Sequence, residues 1–428
     1  MSDQPPIKKV GLIGPFGYGN LGDAAIQEAM IQHIRKRLPD AEIIGFSLNP
    51  EDTEARHGIK SYPISRMSWK ESQDDNKTSG AFARLRQKIN ASPNPTLKNL
   101  DRWMSRAPIE LSLWRAAWNN LAGIDALIVS GGGQLDDYWG GGGPWSHPYT
   151  LLKWGLLTRL RKGKFMFVSV GAGPIDAKLS QHFIKLALGL ANYRSYRDQY
   201  SKNLVEKIGF QNNDPVYPDL AHSLIINQHD RNGARPKRPV VGVGPIGYFR
   251  PGCWPEHDQV IYADYLAKMT AFVAWLFDKQ YAVVFLPGET LYDGLVIDDL
   301  KQALHASGVH LADDQIIMAP IQTLDELLNQ LAHTDFVVGS RFHNVLLAQL
   351  FEKPVLAISY QAKIESLMSA NGQANFCVPV SSFKLDQLKA LFTRLENDCN
   401  SIKKQLAERA PIYSNALEGQ YERIFAEF

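Results

Sequence analysis

At 428 residues with a hydrophobic share of 45%, the chain is too long for one ordinary core and suits two domains of roughly 200 residues each. A net charge of +2 gives no sign of a nucleic-acid-binding protein, although local basic clusters remain open. The three cysteines, Cys253, Cys377 and Cys399, lie far apart without CxxC spacing, which argues against a disulfide framework or a zinc ribbon and fits a reducing cytoplasm.

The N-terminus, "MSDQPPIKKVGLIG", passes from a polar tail straight into a strand without an apolar signal core. No uninterrupted apolar run reaches the roughly 18 residues that span a bilayer, so a cytoplasmic, soluble chain is expected. Short β-rich runs then alternate with helical patterns: "KVGLIG", "AEIIGFSL", "DALIVSGGG", "KFMFVSVGAGP" and "NYRSYRD" read as strands. Such alternation predicts a parallel sheet covered by helices.

Between the first strand and the first helix, "GYGNLG" at 17–22 matches the G-x-G-x-x-G of dinucleotide sites. Two features oppose that use. The next strand does not end in the acidic residue that would hold a ribose, and Asp23 at the helix start would repel a pyrophosphate. Asp23, with Asn20 beside it, suits a sugar hydroxyl or a helix cap. Residues 68–118 break the rhythm as an irregular insertion. From Ala81 to Trp118 it has seven basic residues against two acidic, interleaved with Trp103, Trp114 and Trp118. It reads as a surface insertion or as a segment able to rest on an anionic membrane. The loop "SGGGQLDDYWGGGGPWSHPY" follows. Gly132 and Gly133 let backbone approach a ligand, while Asp136, Asp137, Trp139 and Trp145 offer the carboxylates and aromatic faces that sugars favour.

After "YPDLAHSL" a polar stretch with proline and glycine places the domain boundary near 232. The pattern restarts with "PVVGVGP", "YAVVFLPGE", "DQIIMAP", "DFVVGS" and "PVLAISY". The expectation is an α/β chain of two Rossmann-like, doubly wound domains, 1–232 and 233–428, facing across a cleft in which a ligand binds.

Charged residues mark two strand ends. In "GSRFHN", Arg341 offers a fork for a carboxylate or phosphate beside a helix N-terminus, with Ser340 preceding it and His343 placed to act as a general acid. In "YRSYRDQ", Arg197 leaves a strand and Asp198 starts a helix. One arginine from each domain implies a small, multiply charged anion, and Lys363 in "SYQAK" could add a point charge. The eleven histidines include no HxH or HExxH, and no GxSxG elbow or P-loop occurs, so no metal or cofactor is expected.

At "GYGNLGD", "SGGG", "VSVGAGP", "YRDQYSKNLVEKIG", "YPDLAHSL" and "VVGSRFHNVLLAQLFEKPVLAISYQAK" the sequence resembles the polysaccharide pyruvyl transferase family. The resemblance implies a GT-B-like pair of domains and phosphoenolpyruvate as donor. It implies transfer of a pyruvyl ketal to a sugar in a surface polysaccharide, and the basic, Trp-containing segment could bring the enzyme to a membrane where a lipid-linked acceptor would sit. It also implies that Arg341, the backbone at Phe342, and Arg197 hold the donor while His343 acts as acid. His222 and Gly288 depart from the expected pattern and bear on the acceptor. A nucleotide-sugar glycosyltransferase is the rival, weakened because Leu347 stands where such enzymes place a ribose-binding glutamate. A non-catalytic sugar-binding protein would not need Arg341 and His343 together.

Overall fold

The computed structural model describes residues 8–65, 110–138, 142–226, 237–254, 256–308, 315–317 and 320–426. The chain divides into two compact units, the first holding the residues up to Gly17 and Ile34–Tyr217, the second Tyr18–His33 and the residues from Pro218 on.

In the first unit the strands are β1 (Lys9–Ile13), β2 (Glu42–Ser47), β3 (Lys60–Pro63), β4 (Ala126–Ser130), β5 (Gly133–Leu135), β6 (Lys164–Ala172) and β7 (Tyr193–Tyr196). They pair in parallel in the order β3-β2-β1-β4-β6-β5, with β7 also on β6. Strands β4 and β6 are buried along nearly their whole length, which is why they read as continuous apolar runs rather than alternating ones. The helices are α1 (Leu21–Arg37), whose last turn alone belongs to this unit, α2 (Pro50–His57), α3 (110–120), α4 (His147–Leu160), α5 (Lys178–Leu190) and α6 (Gln199–Lys207). Local chemistry sets α2: the Asn49 side chain accepts from the Asp52 N–H, Pro50 opens the first turn, and Gly58 at φ 61° ends it.

The second unit holds β8 (Val240–Gly244), β9 (Ala282–Phe285), β10 (Ile316–Ile317), β11 (Phe336–Gly339), β12 (Val355–Ser359) and β13 (Cys377–Pro379). All are parallel, in the order β10-β9-β8-β11-β12-β13. This is the Rossmann order, and the chain reverses direction across the sheet between β8 and β11, where such sheets leave a crevice beyond their carboxyl ends. Around it lie α7 (Gln259–Asp278), α8 (Tyr292–Ala306), α9 (Leu324–His333), α10 (Phe342–Leu350), α11 (Ala362–Ala370), α12 (Leu385–Asn397) and α13 (Cys399–Phe425). Among the described residues only α7 is long and apolar enough to cross a membrane. Its Met269, Phe272, Val273 and Leu276 are wholly buried, so it is built as a core helix.

All ten expected strands form, and three short edge strands, β3, β5 and β13, join them. The division differs from the expected one at two places. The first unit ends at Tyr217 rather than near 232, and Tyr18–His33 groups with the second unit. Backbone pairing is the reason. Asn20 bridges Glu289 in antiparallel fashion, the Leu21 N–H donates to the Gly288 carbonyl at 2.9 Å, and the Thr290 N–H to the Gly19 carbonyl at 3.0 Å. Of the basic insertion, 66–109 lies outside the described residues, Trp103 included, as does Trp139.

Candidate active site

The residues 339–344 turn β11 into α10 at the switch point of the second sheet. Ser340 is fully buried, and its N–H donates to the Gly244 carbonyl at 3.0 Å, which ties the turn to β8. Asn344, one turn into the helix, donates from Nδ2 to the Leu286 carbonyl at 2.8 Å and so ties α10 to the end of β9. A Cβ on Gly244 would come within 2.9 Å of that amide, so glycine permits the approach. Arg341 occupies the cap position of α10, and no side chain caps the turn.

The fork of Arg341 is held from inside the protein. Nε donates to both oxygens of Asp293 at 3.2 and 3.1 Å, and Nη2 to Oδ1 at 2.6 Å. Asp293 is wholly buried, and its Oδ2 also accepts from the N–H groups of Gly288 and Glu289, each at 2.9 Å. Burial by itself would lower the Arg341 pKa, but the Asp293 carboxylate and Tyr360 outweigh it and raise the pKa above its ordinary value. The arginine therefore stays charged with its stem packed on Gly288, where a Cβ would stand 2.6 Å from Arg341 Cγ. That contact accounts for a glycine at 288. Burial is also the chief cause that raises the pKa of neighbouring Glu289.

His343 stands on the same first turn, its side chain 15% exposed. Its ring lies where a side chain at position 22 would be, since a Cβ on Gly22 would overlap the imidazole. Nε2 is buried without a hydrogen-bond partner, and it points toward Asp219 Oδ2 at 3.6 Å. Phe342 packs edge-on against the imidazole, 5.1 Å between ring centroids, and Lys363 Nζ sits 5.7 Å above the Phe342 ring. Ser340, Arg341, Phe342, His343 and Lys363 are thus gathered at one end of one sheet.

Asn20 and Asp23, expected on the sugar side of the first domain, belong to the second unit. The cap of α1 is Asn20 rather than Asp23: its Oδ1 accepts from the N–H groups of Gly22 at 3.0 Å and Asp23 at 3.2 Å. A carboxamide does this work without charge and leaves Asp23 in the first turn.

In the first unit, Arg197 follows β7, is 9% exposed, and rests on the backbone of Gly171 while Nε donates to Asp198 Oδ2 at 3.3 Å. Gly132 adopts φ +67° and its carbonyl accepts from the N–H of Gly171 at 2.6 Å; Gly133 opens β5. Asp136 and Asp137 are buried and accept from the N–H groups of Tyr138 and Ala177. Trp145 is exposed, against Tyr149 and Phe183.

Two residues of the site escaped the sequence reading. Asp293 shares a stripe with Val296, Ile297, Leu300 and Leu304, all buried, and an acid on an apolar helical stripe is the signal that marks it. Asp219 stood within the quoted "YPDLAHSL" without a role.

Two parallel Rossmann-like sheets, with an arginine and a histidine opening a helix at the switch point of the second, give the chain a GT-B-type α/β fold. Solved structures share that fold. They include a UDP-N-acetylglucosamine 2-epimerase described as putative, from Listeria monocytogenes, with TM-score 0.59 and 12% identity over 98% of this chain and 95% of that one. Another is S. aureus MnaA in a co-structure with UDP, with TM-score 0.53 and 14% identity over 98% and 95%. A third is the Neisseria meningitidis UDP-GlcNAc 2-epimerase bound to UDP-GlcNAc, with TM-score 0.53 and 12% identity over 98% and 99%. A search of curated proteins gave no match. The model of the polysaccharide pyruvyl transferase family matches residues 20–362, and the chain belongs to that family of pyruvyltransferase enzymes.

Proposed function

We propose that the protein transfers a pyruvyl group from phosphoenolpyruvate to two hydroxyls of a sugar as a cyclic ketal, in the synthesis of a bacterial surface polysaccharide or exopolysaccharide. What carries the reading is Arg341 and His343 on one helical turn at the switch point of the second sheet, in a chain of this family. The donor bears a carboxylate and a phosphate, which suit a fixed guanidinium, an α-helix opening and Lys363. Because Asp293 occupies the two-pronged edge of Arg341, the cation meets the donor through its remaining edge.

In the reaction, His343 protonates the terminal methylene carbon of the donor. The neighbouring carbon becomes an electrophile, and the first sugar hydroxyl adds to it. The bond to the phosphate oxygen then breaks, inorganic phosphate leaves, and the second hydroxyl closes the ring. One hydroxyl proton restores the imidazolium and the other leaves with phosphate. Cations stabilise the departing charge, so no metal step is needed. Arg197, Gly132, Gly133 and Asp136 lie in the first unit. Their assignment, Arg197 to the donor and the others to the sugar, rests on the sequence reading, as does that of Asn20 and Asp23 to the sugar. Each is tested by its own KM change. Cytoplasmic placement, with peripheral attachment at the membrane for a lipid-linked acceptor, belongs to the same reading.

A nucleotide-sugar donor is the second reading, favoured by the UDP and UDP-GlcNAc named for two fold neighbours. Leu347 opposes it, being wholly buried and without a carboxylate for a ribose. The purified protein, incubated with phosphoenolpyruvate and a panel of sugars and oligosaccharides, is expected to yield a pyruvyl-sized mass gain together with phosphate. Product formed only from nucleotide sugars would overturn the first reading in favour of the second.

A further inference from the structure

We infer that Asp219 is a positioning residue for His343: its carboxylate accepts a hydrogen bond from Nε2–H, fixes the tautomer, and leaves Nδ1 as the atom that exchanges a proton with substrate. The inference rests on the acid role just proposed for His343.

Three observations on the second unit point to it. Nε2 is the sealed ring nitrogen, buried without a hydrogen-bond partner, and the carboxylate oxygen facing it is 3.6 Å away. At 3.6 Å the pair is within ion-pair reach and just beyond a hydrogen bond, so a small turn of the ring closes it. The second observation is a division of labour within Asp219. Oδ1 accepts from the Ala221 N–H at 3.0 Å and caps the turn Leu220–Ser223, while Oδ2 faces the histidine. A cap needs only one oxygen and works as well with asparagine, so the cap does not explain a buried carboxylate, whereas an adjacent imidazolium does.

The third observation concerns His222, the unexpected residue of "YPDLAHSL". It also feels Asp219 and would compete for its charge if protonated. Burial holds it neutral, its pKa lowered to about 4, with Asp219 opposing that shift and His343 adding to it. His222 is stacked on Tyr413 at 4.4 Å, and Ser223 Oγ lies 2.9 Å from the hydroxyl of Tyr421, so α13 holds the turn in place. Charged groups on elements around His343 include Asp23 in the first turn of α1 and Glu28, Arg35, Lys36 and Arg37 further along it, Lys363 and Glu365 on α11, and Arg341 at the opening of α10. Of these groups Asp219 is the carboxylate that the structure pairs with His343. On the opposite side the Nδ1 edge lies against Gly22, where a Cβ would overlap Nδ1, so only glycine leaves room beside that nitrogen, and Nε2 alone is the sealed, unsatisfied one. With Nε2–H directed at a carboxylate, the imidazolium gives up its Nδ1 proton and returns to a single defined tautomer.

The test is Asp219→Asn in the full chain, which keeps the cap and the shape and removes the charge. Expected are a wild-type melting temperature, an unchanged donor KM, a kcat lower by on the order of 10², and an alkaline limb of the rate profile moved to lower pH. A kcat within twofold of wild type on an unmoved profile would overturn the inference, and so would a lower melting temperature with an unmoved profile. A second readout needs no substrate. Nitrogen NMR of histidine-labelled protein, with the His343 signals assigned by their loss in His343→Gln, should show Nε2–H as the neutral form in the wild type and a mixture in Asp219→Asn. An Nδ1–H neutral form in the wild type overturns the inference even in an active enzyme. If no acceptor is pyruvylated at all, the proposed function fails, and the NMR measurement still decides the role of Asp219.

Discussion

Helices α6 and α10 both follow a parallel strand with an arginine at the turn, yet they complete their first turns in different ways. In α6 the residue after Arg197 is Asp198, whose Oδ1 accepts from the Ser201 N–H at 2.7 Å and closes the helix with a built-in anion. In α10 the arginine itself stands at the cap, where it cannot accept, and its charge is steadied from behind by buried Asp293. A carboxylate cap fills the positive end of a helix, whereas a cation at the cap adds to it. The same strand-arginine-helix sequence thus closes its helix with its own carboxylate in one unit and leaves a cation at the positive helix end in the other.

The largest effect that would break this comparison is at His343. His343→Ala is expected to lower kcat by roughly 10² to 10⁴ with little change in donor KM. Wild-type turnover in a folded variant would return α10 to the status of a structural corner. Next comes the support behind Arg341. Asp293→Ala leaves the part-buried guanidinium without its carboxylate and should cost about 1–3 kcal/mol in urea unfolding, where a loss below about 0.5 kcal/mol would mean the arginine is not steadied from behind. Because Arg341→Ala would strand Asp293 in the same way, Arg341→Lys is the better probe of donor KM.

Among the described residues each unit also carries one buried histidine whose pKa burial pushes down to about 4 from the ordinary 6.5, His147 in the first and His222 in the second. The unfolded chain takes up protons below pH 6.5 that the folded chain refuses until about pH 4, so stability is full above that window and falls through it. Each site should contribute on the order of 3 kcal/mol at most. Melting curves from pH 7.5 down should show the fall, and His222→Phe should make it shallower; an identical slope would rule out His222 as a source. Smaller again is the loss of the α6 cap. Asp198→Ala should cost about 0.5–2 kcal/mol, read in the same unfolding assay. The smallest effect is none: a strong chelator should leave turnover unchanged, and a loss restored by divalent metal would contradict the acid mechanism.

Strand positions were legible because a sheet covered on both faces needs unbroken apolar runs, and "DALIVS" and "DFVVGS" supply them. The helix opening at Arg341 and His343 was legible for a similar local reason, since charge directly after such a run has nowhere to go but the strand end. The partners were not. Asp293, Asp219 and Gly22 reach the site through pairings far apart in the chain, and nothing near them in sequence records what they face. For Gly22 the local pattern "GYGNLG" matches a dinucleotide loop whose use the neighbouring Asp23 already opposed, but nothing near it in sequence names the histidine it faces more than three hundred residues away.

The pairing of Gly19–Leu21 with Gly288–Thr290 makes the second unit discontinuous in the chain, and synthesis on the ribosome has to respect that. At about 5–20 residues per second, the segment Tyr18–His33 is exposed for tens of seconds before its partners exist. During that interval Ala25, Ile26, Ala29 and Met30, all fully buried in the finished fold, have no permanent cover. A nascent chain stalled before residue 288 should therefore engage chaperones through this helix, and a fragment beginning at Pro218 should emerge without the backing for its own histidine.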